Sequence, residues 1–500
     1  MILEGALMLA PFLVSLIYRE GARNVLAFLI PLVALAAVGA LLQLPKPRRT
    51  ALYQKEGFAL VALVWIVMTL FGAIPFVING DIPNYVDACF EMMSGFTTTG
   101  ASIITDITLL SHSSLFWRSF SHWIGGMGIL VFILIFIPEG DDGSSMHLLR
   151  AESPGPQVGK IASKMKVTAR TLYLIYFGLT VLEVAILMLD KPVPGYESEK
   201  FFFSLLASFG CAGTGGFGFL PGSMELFSPF SQYVMATFLV LFGVNFALYY
   251  MILMGKIRDV LRSEELHGYL LIFLAGLGTI FLSLVGRFNA FPQTYTTEEA
   301  FRHAFFQTAS IMTTTGFTTT DYDVWPTLAV TVLFLLMFFG AMAGSTAGGI
   351  KTSRLVIAVK GIYIRIRKLI NPRYVPKTKI EGKTVSEQTV SDVFAFITFY
   401  VLILFTTTLL LSFDPICGTE TVIVSDAGMH IEKHGFFSNL SASLACISNI
   451  GPAFEAVGPY ASYAGYSVFS KIILSFTMLI GRLEILPVFV LFSPKTWMKK

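Results

Sequence analysis

Two stretches, MSGFTTTGAS (93–102) and IMTTTGFTTT (311–320), repeat a Thr-rich loop that closes on glycine, each between long apolar runs. Two further stretches, around Gly216 and Gly451, align with them. With Gly100, Gly216, Gly316 and Gly451 superposed, the residue fifteen positions earlier is aromatic in all four: Tyr85, Phe201, Phe301 and Phe436. Six positions earlier it is small: Ser94, Gly210, Ser310 and Ala445. Internal repeats of this kind constrain a fold more tightly than any single segment. Each copy leaves room for a short helix before its glycine, such as 84–96 or 299–312. At about 1.5 Å per residue, a dozen residues reach roughly halfway through a bilayer's hydrocarbon. The predicted unit is helix, re-entrant half-helix, glycine loop, helix, used four times.

The solvent around these units is lipid. Hydrophobic residues make up 54% of the 500-residue chain and charged residues only 13%, against about 25% in soluble chains. Mean hydropathy is +0.71. Apolar runs long enough to cross a membrane are predicted at 2–18, 24–44, 57–79, 114–137, 168–189, 230–255, 268–286, 326–350, 391–413 and 464–492. No cleavage site follows the first run, so the first two read as membrane helices and not as a signal peptide. Segments 46–56, 139–170, 256–265, 351–387 and 494–500 hold 25 of the 35 lysines and arginines. By the positive-inside rule they face the cytoplasm, which puts both termini there. Acidic residues lean to the other side, as in Asp81, Asp87, Asp106, Glu197, Glu199, Glu298, Glu299, Asp321 and Asp323.

The fold class expected is therefore an all-α polytopic membrane protein. Four helix–pore-loop–helix repeats surround one pseudo-fourfold pore, with two extra N-terminal transmembrane helices. The divisions are 1–45 for the extra pair, then repeats at 46–150, 151–262, 263–385 (with a broken second helix) and 386–500. Irregular backbone at membrane depth is tolerated only when buried in protein or lining a wet cavity. Glycine lets main-chain carbonyls turn toward a shared axis. Carbonyl and threonine oxygens are uncharged hard ligands suited to replacing the water shell of a monovalent cation. Half-helix C-termini aimed inward add partial negative charge. None of the four loops carries a carboxylate, which argues against a divalent-cation site. The loop reads as one quarter of an ion filter.

The segments TTTGAS, CAGTGGFGF, TTTGFTTTD and SNIGPAF, each between membrane helices, resemble the four filter segments of the Trk/Ktr/HKT potassium-transporter superfamily. The resemblance runs over essentially the whole chain, supported by HWIGGMGILVF (122–132), FGVNFALYY (242–250), GAMAGSTAGGIKTSR (340–354) and IGRLEILPVF (480–489). The extra helix pair is most similar to the bacterial TrkH/TrkG branch. The resemblance implies potassium uptake across a bacterial inner membrane, with K+ as the transported ion and no organic cofactor on this chain. It implies ion binding at Thr98, Thr99 and Gly100; Thr214, Gly215 and Gly216; Thr314, Thr315 and Gly316; and Asn449, Ile450 and Gly451. Glycine at all four ring positions is the potassium-like pattern, a serine in the first being associated with sodium permeation in some plant relatives. GTGG and SNIG depart from the TTTG of the other two segments. A homodimer and a separate cytosolic TrkA-type nucleotide-binding ring are also implied.

Four glycines in ten residues, Gly340, Gly344, Gly348 and Gly349, break a helix at about 1 kcal/mol each relative to alanine. One reading is close packing through small residues. The other is a movable loop beneath the filter, resembling the family's intramembrane loop, with Gly344, Ser345, Thr346, Ala347, Gly348 and Gly349 as the gate. Arg482, a charge within an apolar span, should face the interior. A salt bridge to Glu484 does not fit, because residues two apart do not share a helix face, which leaves a structural partner elsewhere as the plain reading. The resemblance implies that Arg482 is an electrostatic barrier below the filter. Lys471 is expected to snorkel to the interface.

Other signals carry little. Cys89, Cys211, Cys417 and Cys446 lack metal-ligand spacing. Gly213, Gly215 and Gly218 satisfy a dinucleotide fingerprint, but no strand precedes them. His112 and His122 have no third ligand nearby. The basic run KLINPRYVPKTK (368–379) suits membrane lipid headgroups or the cytosolic partner, not nucleic acid. No nucleophile–base conjunction points to an enzyme. A sodium-permeable relative of the same fold is the alternative function. A secondary solute transporter is the next, although its inverted repeats are not what four same-direction copies display.

Overall fold

The computed structural model describes residues 1–44, 54–128, 165–286, 295–373, 379–425 and 428–483. Several predicted features lie outside the described residues: segment 45–53, span 114–137 beyond 128, segment 139–164, residues 374–378, and everything from Glu484 to the tail. Among the described residues, five helices are long and apolar enough to cross a membrane: Ala22–Gln43, Ala59–Asn79, Ala169–Leu187, Glu264–Leu284 and Glu387–Leu411. Their 19 to 25 residues match a hydrocarbon core ~30 Å thick. The chain is a multi-pass membrane protein.

Between these helices and their successors sit four short ones: Tyr85–Phe96, Lys200–Gly213, Thr297–Met312 and Phe436–Ser448. Asn84 caps the first, its side chain accepting the Val86 N–H. Thr296 and Glu299 form a capping box on the third. Each short helix begins near its repeat aromatic, and Tyr85, Phe201, Phe301 and Phe436 are 42%, 59%, 41% and 67% exposed. Each ends buried. The aromatic therefore marks the outer turn of the helix, and the glycine loop marks its buried end.

Packing closes the units on one another. His112–Gly126, which follows the first short helix, packs on the second; Pro229–Phe242 packs on the third; Val468–Leu483 packs back on the first. The remaining junction is made by Phe334 against Phe437, ring centroids 5.4 Å apart, and by Ser448 Oγ donating to the Met337 carbonyl at 2.7 Å.

Three features differ from the sequence expectation. The predicted span 230–255 is two helices, Pro229–Phe242 and Phe246–Leu253, bent by 90°. Asn245 caps the second, accepting the Ala247 N–H at 2.9 Å, so a cap signal inside an apolar run outweighs the run. The chain is also not wholly helical. Lys379–Ile380 pairs antiparallel with Lys383–Thr384, and Glu420–Ser425 with Gly428–Lys433. The β-branched run at 421–424 has the composition of a strand. Lastly, Lys471 does not snorkel. It is 5% exposed and its Nζ lies 2.7 Å from Asp87 Oδ1 of the first short helix, because a buried ammonium needs a paired charge.

The capping box on the third short helix gives a direct check. Thr296→Ala should lower stability by about 1 kcal/mol, read as a lower melting temperature of the purified protein in detergent.

Candidate functional site

The four short helices end in one shared way. The N–H of the residue before each glycine donates to the carbonyl of the residue six positions before that glycine: Thr99 to Ser94, Gly215 to Gly210, Thr315 to Ser310 and Ile450 to Ala445, at 2.9, 3.0, 2.8 and 2.8 Å. This is the Schellman closure, which satisfies a carbonyl that the helix end leaves open. It explains the small residue of the repeat, whose carbonyl is the acceptor in every copy. The residue between is left-handed each time: Thr98, Thr214, Thr314 and Asn449, with φ of 55°, 52°, 55° and 57°. Asparagine tolerates that region, but for β-branched threonine it is a genuine outlier. Four repetitions of one strained conformation mark a site held by its surroundings.

The four glycines then meet in a closed cycle. A Cβ on Gly100 would lie 3.0 Å from the Gly216 nitrogen; on Gly216 it would strike the Thr315 carbonyl; on Gly316, the Ile450 carbonyl. A Cβ on Gly451 would lie 2.6 Å from the Thr99 carbonyl oxygen, which returns to the first loop. Each loop backbone rests on the next with no room for a side chain. Gly100, Gly316 and Gly451 also have φ of 82°, 87° and 97°, a region that any L-residue enters at a cost. Gly216 does not, so its requirement is space alone.

Hydroxyls brace the ring from behind. Thr97 and Thr99 Oγ1 lie 2.8 Å apart, and Thr313 and Thr315 Oγ1 2.9 Å apart. Thr97 and Thr313 each donate to the carbonyl four residues back, at 2.7 Å. Asn449 Nδ2 donates across to Thr99 Oγ1 at 2.9 Å. Thr98 Oγ1 and Asn449 Oδ1 are buried with no hydrogen-bond partner among the described residues. The donor set available to a ligand is thus neutral oxygen, and no group of three or more metal-ligating side chains occurs among the described residues.

The second loop departs from TTTG for a reason the sequence hides. Gly213 and Gly215 stand where the first loop has Thr97 and Thr99, and a Cβ on either would collide with His122. His122 Nδ1 lies 2.8 Å from the Gly95 carbonyl, while Nε2 faces the Phe217 N–H at 3.3 Å. Nε2 must accept, so Nδ1 carries the proton. The imidazole fills the place a side chain at 215 would take, while the His122 main-chain carbonyl fills the place of one at 213. The only sequence trace of it was the pair of glycines where threonines were expected.

The glycine-rich segment 340–349 packs against the same ring. Gly348 N donates to Thr314 Oγ1 at 2.6 Å, and a Cβ on Gly348 would meet the Ser448 carbonyl and Asn449. Helix Thr327–Leu336 stops before it, and Thr352–Ile370 starts after it. In between, Gly340 N donates to the Ile350 carbonyl at 2.7 Å and Met342 N to the Gly243 carbonyl at 3.1 Å. Ala343 N donates to Glu265 Oε1 at 2.6 Å. The segment is a folded loop, not a helix packed through small residues. Gly344 N-flanks it with φ of 77° and Gly349 with φ of 66°. Ser345 Oγ donates to the Met342 carbonyl at 2.7 Å, and Lys351 Nζ reaches the Ala347 carbonyl. Arg482 crosses the space beneath: Nη1 donates to the Thr346 carbonyl at 2.7 Å, and Nη2 to those of Gly125 and Gly126 at 2.6 and 2.7 Å. The carbonyls of Thr346, Gly125 and Gly126 receive this charge.

Short helices that turn back at buried, uncharged loops, packed among apolar spans, define a membrane protein of the transport class. The family model for TrkH, a cation transport protein, matches residues 25–499, and the chain belongs to that family. It is 33% identical to the Trk system potassium uptake protein TrkH of Salmonella typhimurium, over 99% of this chain and 97% of that one. It is 30% identical to the Trk system potassium uptake protein TrkG of Escherichia coli, over 98% and 95%. The crystal structure of the potassium transporter TrkH from Vibrio parahaemolyticus superposes with a TM-score of 0.82 at 30% identity, covering 99% of this chain and 97% of that one.

A Thr side chain at Gly215 and the imidazole of His122 compete for one volume. Gly215→Thr should destabilise the protein by about 1–3 kcal/mol through overpacking. Adding His122→Ala should restore part of that loss, a coupling that a double-mutant cycle of melting temperatures reads directly.

Proposed function

We propose that this chain takes up potassium across a bacterial inner membrane, through a filter formed by the four glycine loops. The observation that carries the reading is the closed contact cycle Gly100–Gly216–Gly316–Gly451. Four backbones packed edge to edge on one axis offer rings of neutral oxygen to a single file of monovalent cations. The four short helices contribute roughly half a negative charge each at their C-termini, so a bare cation is favoured without any carboxylate. The ligands are the carbonyls and hydroxyls of Thr98, Thr99, Gly100, Thr214, Gly215, Gly216, Thr314, Thr315, Gly316, Asn449, Ile450 and Gly451. The chain's relatives are named for potassium uptake, which supports the choice of ion. The units are the four pore repeats 46–150, 151–262, 263–385 and 386–500, with 1–45 outside them, and both termini are cytoplasmic.

Complementation tests substrate and site together. The parent should restore growth of a potassium-uptake-deficient bacterium at low external potassium. Alanine at Gly100, Gly216, Gly316 or Gly451 should reduce growth to that of the empty vector at matched membrane levels. Rescue that survives these substitutions, or flux carried by sodium alone, would overturn the proposal.

Gating belongs to the loop Gly344–Gly349 and to Arg482. The loop fills the exit from the ring and is tied to it by one hydroxyl, at Thr314. Arg482 pins the loop and places a positive charge in the cation's path. Gly344→Ala, whose Cβ would meet Asn245 and not the ring, should change open probability and leave ion preference intact. Arg482→Ala should raise single-channel conductance severalfold, whereas lower expression at unchanged conductance would mean a purely structural arginine.

Assembly follows the same family reading: a homodimer, opened by a separate TrkA-type nucleotide-binding ring. Helix Thr352–Ile370 supports a docking role, since it leaves Val359, Ile362, Tyr363, Ile366 and Leu369 exposed beside Arg365 and Lys368.

A further inference from the structure

One buried ion pair lies behind the ring and has no part in the reading above. Arg118 and Glu91 are 1% and 0% exposed. Arg118 Nε and Nη2 lie 2.9 and 2.8 Å from Glu91 Oε1. The rest of the guanidinium reaches two different loops. Nη1 donates to the Gly218 carbonyl at 2.9 Å, Nη2 to Ser102 Oγ at 3.2 Å, and Cζ stands 4.2 Å from the centroid of the Phe217 ring. Glu91 Oε2 accepts the Ile103 N–H at 2.9 Å, and Oε1 accepts from Ser102 Oγ at 3.0 Å. Ser102 and Ile103 follow Gly100; Phe217 and Gly218 follow Gly216. The cluster therefore holds the chain just past two of the four ring glycines.

Only one repeat carries it. Nine residues before the other glycines stand Ala207, Gln307 and Ala442, and eighteen after them Val234, Phe334 and Phe469. Buried ion pairs are poor sources of stability, since well-packed apolar residues often do as well. What Arg118 provides that an apolar side chain does not is direction: a rigid planar fork whose donors are fixed relative to one another. Spanning Glu91, Ser102 and Gly218 with one such fork sets the spacing between the first and second loops.

We infer that Arg118, oriented by Glu91, is a positioning residue that fixes the separation of the first two filter loops and thereby sets the preference for potassium over sodium. Discrimination between the two ions depends on how closely the oxygen ring keeps its size and field. The inference rests on the four glycine loops being the filter. His122, one helical turn beyond Arg118 on the same face, grips Phe217 N–H from the other side. The two side chains thus hold the second loop at consecutive residues.

The test uses the full-length protein in phosphatidylethanolamine–phosphatidylglycerol vesicles, with the K+/Na+ permeability ratio measured under bi-ionic conditions. Arg118→Lys keeps the charge opposite Glu91 and removes the fork. It should fold, carry K+ and lose roughly tenfold in the ratio, the scale of one charge-assisted hydrogen bond felt unequally by two ions. Ser102→Ala should move the ratio in the same direction by a smaller factor. Ser231→Ala, which removes a contact to Asp190 away from the ring, should keep the parent ratio. Reduced melting temperature with an unchanged ratio in Arg118→Lys and Ser102→Ala would overturn the inference and leave a merely structural pair. Should Arg118→Lys not reach the membrane, Ser102→Ala decides by the same reading. A parent that passes no K+ at all would instead count against the filter itself.

Discussion

Four irregular backbone segments must survive buried within a membrane protein, and the structure depends on how their polar groups are satisfied. Each unpaired peptide group there costs several kcal/mol. The Schellman closures at Thr99, Gly215, Thr315 and Ile450 settle the helix ends, and neighbouring loops shield one another. Among the side-chain oxygens of these loops, Thr98 Oγ1 and Asn449 Oδ1 stay buried without a hydrogen-bond partner among the described residues. The same shortage of partners that threatens the fold creates the ligands of the proposed filter.

The surroundings explain why strained conformations persist. Left-handed threonine at 98, 214 and 314 costs roughly 1–3 kcal/mol each. The strain is held by hydroxyl pairs behind the first and third loops, by His122 behind the second, and by Tyr400 and Met337 around Ser448 behind the fourth. Four loops of one shape are braced in three different ways. That is why the threonines repeat only in the first and third copies while the glycine repeats in all.

The loop at 340–349 and the 90° break at 243–245 belong together. Met342 N donates to the Gly243 carbonyl, and Phe246 N to the Gly344 carbonyl at 3.1 Å. Each interruption supplies the open backbone groups that the other needs. The glycine density of 340–349 was visible in the sequence; the second break was not, because a single Gly-Val-Asn within an apolar run has no strong signal until its partner is in place.

The sequence by itself determined the membrane class, the repeat and the ring glycines. These follow from local facts: apolar length, a fixed spacing between an aromatic, a small residue and a glycine, and the family resemblance that four such copies carry. It also placed the interior charge at Arg482, since apolar surroundings leave an arginine nowhere else to go. Only the tertiary structure decided which groups meet across repeats. That Gly216 rests on Thr315, that His122 fills the space beside Gly213 and Gly215, that Lys471 finds Asp87 and that Arg118 bridges two loops are contacts between residues as much as 384 positions apart. A linear pattern records what each helix buries, but the identity of the neighbour arises when the four units close on one another.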